Sequence, residues 1–211
     1  MRPISVTVGP LATANAAIIA ASQQPLAAGN LTLVGGGAVT LDKPRRVLIS
    51  NAGTDTSVTF TVYGTDARGR SISASLAGAT AGNSVYTVLD YLTVTRVAVS
   101  AATASAVTVG TNGIASSRLI FLDHYGYPQV ALQCVPTGTV NYTVQQTLDD
   151  PAKIGIENVT WVSHSDTAFV GATGTVQGNY AYLPRATRVL LNSGTGSVKL
   201  TALQAGKPNT R

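Results

Sequence analysis

Charge is what this chain has least of. Charged residues make up 11% of its 211 residues, against 45% hydrophobic, less than half the usual charged share of a soluble domain. Thr, Ser, Gly and Ala take over the surface. A neutral, hydrogen-bonding surface of that kind suits wide contacts with other subunits better than life as a free monomer. The chain has a single cysteine, so it has no internal disulfide and is no disulfide-stapled scaffold. Within Val130-Ala131-Leu132-Gln133-Cys134-Val135, Cys134 reads as a small buried hydrophobe. No stretch approaches the ~20 apolar residues that cross a bilayer. The apolar segment Ala14–Ser22 is interrupted by Asn15 and preceded by Gly9-Pro10, so neither export through a signal peptide nor membrane embedding is expected.

Reactive groups are equally sparse. His124 and His164 are the two histidines and Glu157 the one glutamate. His124 follows Asp123, but neighbours in a strand point to opposite faces, so the pair is awkward for catalysis. It reads as a strand-end or loop histidine at a subunit boundary. His164, in Ser163-His164-Ser165-Asp166, reads as part of a polar turn without metal-ligand spacing. Asp149-Asp150 ahead of Pro151 fits an Asx turn or cap, with too few neighbouring oxygens for calcium. Gly35-Gly36-Gly37 lacks the following Lys-Ser/Thr of a phosphate loop. The net charge of +5 comes mainly from dispersed arginines, with no basic run interleaved with aromatics, so no specific nucleic-acid groove is expected. These readings give no catalytic, cofactor-binding or metal-binding residue and a chain that is not an enzyme.

What the chain does have is a phrase stated three times. Arg45-Arg46-Val47-Leu48-Ile49-Ser50-Asn51-Ala52-Gly53 leads into Ser57–Val62, Arg96-Val97-Ala98-Val99-Ser100 into Ala106–Gly110, and Arg188-Val189-Leu190-Leu191-Asn192-Ser193-Gly194 into Ser197–Thr201. Each is an arginine, an apolar run, a small-residue turn and an alternating Val/Thr run, which reads as a β-hairpin. Short strands near 31–35, 38–41, 45–50, 56–64, 70–76, 84–88, 92–99 and 106–110 form a first set. A second follows near 118–123, 129–135, 139–147, 159–163, 168–176, 180–183, 186–192 and 196–203, with residues 111–117 as the linker. Leu11–Gln23, Ala-rich with Leu11, Ala14, Ile18 and Ala21 on one face, is the one expected helix. The expected fold is all-β: two sandwich or jelly-roll-like modules of antiparallel strands, 31–114 and 115–211, behind an N-terminal arm, 1–30, carrying that helix.

Thr59-Phe60-Thr61-Val62-Tyr63-Gly64-Thr65-Asp66-Ala67-Arg68-Gly69-Arg70-Ser71-Ile72 resembles a strand-turn-strand segment common in tailed-bacteriophage virion proteins. The opening Met1–Pro10 and the segment Thr139–Pro151 are also similar to small phage structural proteins encoded among head and tail genes. The resemblance implies a homo-oligomeric virion component, preferably a capsid cement or decoration protein that clamps the major capsid protein. A tail adaptor or fibre-anchoring protein, with tail or portal-proximal partners, is the alternative. On this reading the subunit contacts are Ile4, Val6, Ile18 and Ile19 of the arm and Arg45, Arg46, Arg68 and Arg70. A second alternative is a carbohydrate- or receptor-binding module with Trp161, Tyr180 and Tyr182 as a stacking platform.

Overall fold

The computed structural model describes residues 3–123, 125 and 129–205. In chain order its strands are β1 (Ile4–Val8), β2 (Ala20–Gln23), β3 (Gly29–Asn30), β4 (Val39–Asn51), β5 (Thr59–Thr65), β6 (Ser71–Ala77), β7 (Ser84–Val99) and β8 (Val107–Thr111). There follow β9 (Ala115–Ser116), β10 (Ile120–Phe121), β11 (Val130–Thr137), β12 (Val140–Thr147), β13 (Val162–Ser163), β14 (Val176–Asn179), β15 (Ala186–Gly194) and β16 (Ser197–Gln204). A single α-helical turn, α1 (Pro151–Ile154), lies between β12 and β13. The strands pair antiparallel, and the all-β, sandwich-like class follows. The chain divides into two compact units, Ala12–Gly113 and Met1–Leu11 with Ile114–Arg211.

The unit Ala12–Gly113 is built on one sheet in the order β2-β8-β4-β7-β5-β6, with β3 also on β7. Alternation sorts its side chains: Phe60 and Val62 of β5 are buried while Thr59 is exposed. The long strand β7 changes partner along its length. β4 pairs with it from Ser84 to Val94 and β5 from Thr93 to Val99, so that both flank it at Thr93 and Val94. Within the β4 ladder the register shifts around Thr87, whose buried hydroxyl accepts from Val47 N–H at 3.0 Å and donates to the Leu89 carbonyl at 2.8 Å. Past that shift lies Tyr91, fully buried, its hydroxyl donating to the Val62 carbonyl at 3.1 Å. Residue 64 must be glycine for this ring to fit. A Cβ there would stand 2.0 Å from the Thr93 carbonyl oxygen and 2.9 Å from the Tyr91 ring.

A polar knot closes the same unit. Asp55, 1% exposed, accepts from Asn51 Nδ2 at 2.8 Å and from Ala104 N–H at 2.7 Å, and Asn51 Oδ1 accepts from Ala79 N–H at 3.1 Å. Three loops are thereby tied through two buried side chains whose polar groups are matched, as buried groups must be.

The other unit is a sandwich of two sheets, β1-β16-β11-β14 and β10-β15-β12-β13, with β9 on β15. Leu132, Cys134 and Leu200 from one sheet meet Tyr142, Val144 and Leu191 from the other in a single core. The connections β11–β12 and β15–β16 both pass from one sheet to the other, so β11 pairs with β16 while β12 pairs with β15. Glycines let these two crossings touch. A Cβ on Gly196 would lie 2.2 Å from the Thr137 carbonyl oxygen, and Gly196 N–H instead donates to the Thr139 carbonyl at 3.0 Å.

The three repeated phrases are therefore each two successive strands that do not pair with one another, and not hairpins. β4 and β5 are separated by β7, β7 and β8 by β4, and β15 and β16 lie in different sheets. Alternation specifies a strand and its faces, whereas pairing with the next strand needs a tight turn that continues the ladder. β5–β6 has such a turn. Asp66 N–H bonds the Arg70 carbonyl, Gly69 N–H bonds the Asp66 carbonyl, and Gly69 takes φ +76°, the three-residue hairpin with a glycine bulge.

The helix expected over Leu11–Gln23 is not formed, and residues 1–30 are not a separate arm. β1 completes a sheet against β16, and β2 extends the other unit's sheet against β8. Asn15 explains the difference. Its Oδ1 caps Ala17 N–H at 2.9 Å, a local bond that competes with helix, while its carbonyl accepts from Thr111 N–H at 2.9 Å. Gly110 lets this segment lie directly on β8, since a Cβ there would be 2.0 Å from the Asn15 carbonyl oxygen. The strands expected at 38–41 and 45–50 are one strand, β4, as are 84–88 and 92–99 in β7, and much of 168–176 is not strand.

Gly64→Ala is expected to destabilise the protein by about 1–3 kcal/mol or more through overpacking at Tyr91. Gly29→Ala, where a Cβ meets nothing within 4 Å, should leave the urea midpoint almost unmoved. Equal midpoints for the two variants would contradict this role for Gly64.

Candidate functional site

The residues expected to form subunit contacts divide between surface and interior. Ile4 and Ile18 are exposed at 39% and 42%, and Arg68 and Arg70 are exposed at the β5–β6 turn. Val6 packs partly against the sandwich core. Ile19 is fully buried, Arg45 is 1% exposed and Arg46 8%, so these three serve the chain's own interior and not a seam with a neighbour.

Arg45 illustrates why. Its Nη2 donates to the Ala12 carbonyl at 2.8 Å, its Nη1 to Thr111 Oγ1 at 3.3 Å, and its Nε lies 3.4 Å from Asp42. One guanidinium thus fixes the segment after Leu11 to β4 and β8, a task for the planar fork that a lysine would not reproduce. Burial lowers its pKa, and Asp42 works in the opposite direction.

An arginine directly ahead of the apolar run in each repeated phrase has a common use. Arg46 lies over the Tyr86 ring at 5.9 Å, Arg96 over Tyr63 at 3.8 Å and Arg188 over Trp161 at 4.0 Å. Each is a cation held against an aromatic face within the distance at which the ring quadrupole attracts it. Arg188 also donates through Nε to Gln145 Oε1 at 2.9 Å. The sequence shows the arginines, but their aromatic partners sit in other segments and become visible only with the fold, as for Tyr63 directly opposite Arg96.

At the β5–β6 turn Arg70 donates to one oxygen of Asp66, Oδ2, through both Nη2 at 2.7 Å and Nε at 2.8 Å. Burial alone would raise the Asp66 pKa, but N–H bonds from Arg68 and Arg70 and the Arg70 charge hold it below the usual range. Asp150 caps α1 through Ala152 N–H at 3.1 Å and pairs with Arg185 at 3.2 Å, while Asp149 accepts from Thr160 N–H at 2.7 Å. These carboxylates have structural roles. Asp150 and Arg185, paired with each other, line with Leu148, Leu183 and Pro184 an open cleft of about 330 Å³. Burial pushes the Cys134 thiol up to about 12, against a bond to Tyr142, so it stays protonated at neutral pH.

Of the three aromatics of the stacking-platform reading, Tyr180 is taken into the interior. Tyr180 is 7% exposed, Tyr182 is 48% exposed, and Trp161 is half-buried beneath Arg188. His124 lies outside the described residues, as do Met1 and Arg2 of the opening segment. Among the described residues no three His, Cys, Asp or Glu side chains gather as metal ligands, and no helix is long and apolar enough to cross a membrane.

His164 departs from the polar turn expected of it. It is 4% exposed, with its ring 4.5 Å from Phe169 and 4.8 Å from Tyr180. Nδ1 accepts from Asp166 N–H at 3.0 Å, and Nε2 is buried. The imidazole is thus enclosed against two aromatic rings.

No family model matches the chain, and no curated protein matches it either.

Burial lowers the His164 pKa, with Asp166 opposing. The unfolded chain therefore takes up this proton at a higher pH than the folded one, so stability is full above the ordinary histidine value, about 6.5. It should fall as pH drops through that value toward the lowered folded one. Thermal midpoints measured from pH 7.5 to 5 should show this loss, and His164→Gln should flatten it. An unchanged slope in the variant would exclude His164 as its source.

Proposed function

We propose that this chain is a non-enzymatic structural subunit of a tailed-phage virion, with capsid cement or decoration as its role. The observation that carries the reading is the character of its outward sheet faces. Across β5–β6 Thr61 and Ser75 hydroxyls bond at 2.8 Å, and across β1–β16 Ser5 and Thr201 bond at 2.8 Å. Around them stand Thr59, Ser71 and Ser73 on one face and Gln133, Val135 and Leu203 on the other, with Lys199 as a charged neighbour.

Covering such a face with another subunit is inexpensive. Hydroxyls that already bond one another lose little on leaving water, whereas each buried charge costs several kcal/mol unless it is matched. The likeness of residues 59–72 to phage virion segments supports placing the subunit in a particle. Ile4, Ile18, Arg68 and Arg70 remain at the surface for contact with a major capsid protein. A tail adaptor would use the same faces in a ring.

Quantitative densitometry and immuno-labelling of purified virions test this. Many copies spread over the head support cement. A ring of copies at one vertex replaces it with the tail role, and absence from particles overturns the virion reading.

A further inference from the structure

A sheet must end somewhere, and most edges here end in ways that discourage further pairing. β10 and β13 are two residues long and β14 is four. β2 is also four residues, with an irregular register. β6 is different. It has seven residues, Ser71-Ile72-Ser73-Ala74-Ser75-Leu76-Ala77, pairs with β5 in unbroken register, and pairs with no other strand among the described residues. It contains no charge, no proline and no bulge, the devices by which edges are blunted.

The direction of its free peptide groups follows from the ladder. Asp66 N–H bonds the Arg70 carbonyl, and Gly78 N–H bonds the Val58 carbonyl. Hydrogen-bonded pairs alternate along an antiparallel ladder, so Ile72, Ala74 and Leu76 are the residues bonded to β5. Ser71, Ser73, Ser75 and Ala77 aim their N–H and C=O groups away from the sheet.

We propose that this edge pairs with the same edge of a second copy of this chain, antiparallel and two-fold symmetric about Ala74. In that register Ser71 faces Ala77 and Ser73 faces Ser75 of the other copy, and all four outward residues of each strand find hydrogen-bonding partners. Ile72 then lies opposite Leu76, so apolar residues meet on the inner face and hydroxyls on the outer one. The two sheets become one. Charge is compatible with an identical partner: residues 71–77 carry none, and Arg70 is already neutralised by Asp66 at 2.7 Å. Arg70 also falls opposite Gly78 of the other copy, so like charges are not brought together.

This inference deepens the reading of the chain as an assembly subunit and rests on it. Its test uses the isolated full chain, so that its failure is separate from the virion result. Sedimentation velocity should find a dimer. Ser73→Pro removes an N–H that makes no bond within the chain, and by symmetry it removes two bonds from the dimer, weakening association roughly tenfold or more. The double variant Ser73→Lys/Ser75→Lys sets four lysines together at the two-fold and should be monomeric, with the far-UV spectrum and thermal midpoint of a folded chain. It decides the matter if Ser73→Pro does not fold. A monomeric wild-type chain overturns the proposal, as does a dimer that survives in the folded lysine variant. A chain that is monomeric alone but protected along β6 in particles would assign the edge to another protein's strand.

Discussion

Every peptide group in a sheet needs a partner, and that requirement shapes this molecule more than any side chain does. About half of the described residues lie in strands, and these pair antiparallel. Where a ladder is interrupted, a side chain or a neighbouring backbone steps in: the Thr87 hydroxyl bonds Val47 N–H, and Thr111 N–H bonds the Asn15 carbonyl. Glycines stand where backbones must nearly touch, as Gly64 does beneath Tyr91 and Gly196 between the two crossings. The outermost strands meet the requirement least completely. β6 leaves four residues' worth of peptide groups to be matched by something outside the chain, and water is only one candidate.

The scarcity of charge acts on the same point. In most soluble proteins, lysine and glutamate on edges and faces keep sheets apart. Here the charges present are largely consumed internally. Arg45 secures the segment after Leu11, Arg70 closes a turn with Asp66, and Arg46, Arg96 and Arg188 lie over aromatic rings. The surfaces left to face other molecules are hydroxyls and small apolar groups, which tolerate being covered and do not repel a copy of themselves.

How much of this was legible beforehand depended on whether the signal was local. Alternation in Thr59–Thr65 and Ser197–Gln204 announced strands and their faces, because that period belongs to the backbone itself. The β5–β6 hairpin was legible because its turn is contained in a few residues. The repeated phrases misled, since their strands pair across long sequence separations that no alternation encodes. The Ala-rich segment after Leu11 had helix-forming composition, yet β8 supplied better partners, and propensity gives way to such tertiary contact. Arg45 and Arg46 looked like seam contacts for a related reason. Their burial comes from Ala12, Thr111 and Tyr86, residues far away in sequence. His164 was read from its polar neighbours, while Phe169 and Tyr180 close over it from other segments.

The central claim is that the free edge of β6 is a contact surface, and amide hydrogen exchange reads that edge directly. In the assembled protein the account predicts slow exchange at Ser71, Ser73, Ser75 and Ala77, whose N–H groups have no partner within the chain, at rates close to those of Ile72, Ala74 and Leu76. Alternation of fast and slow amides along β6 in the assembled state would contradict it, because the outward groups would then still be facing water.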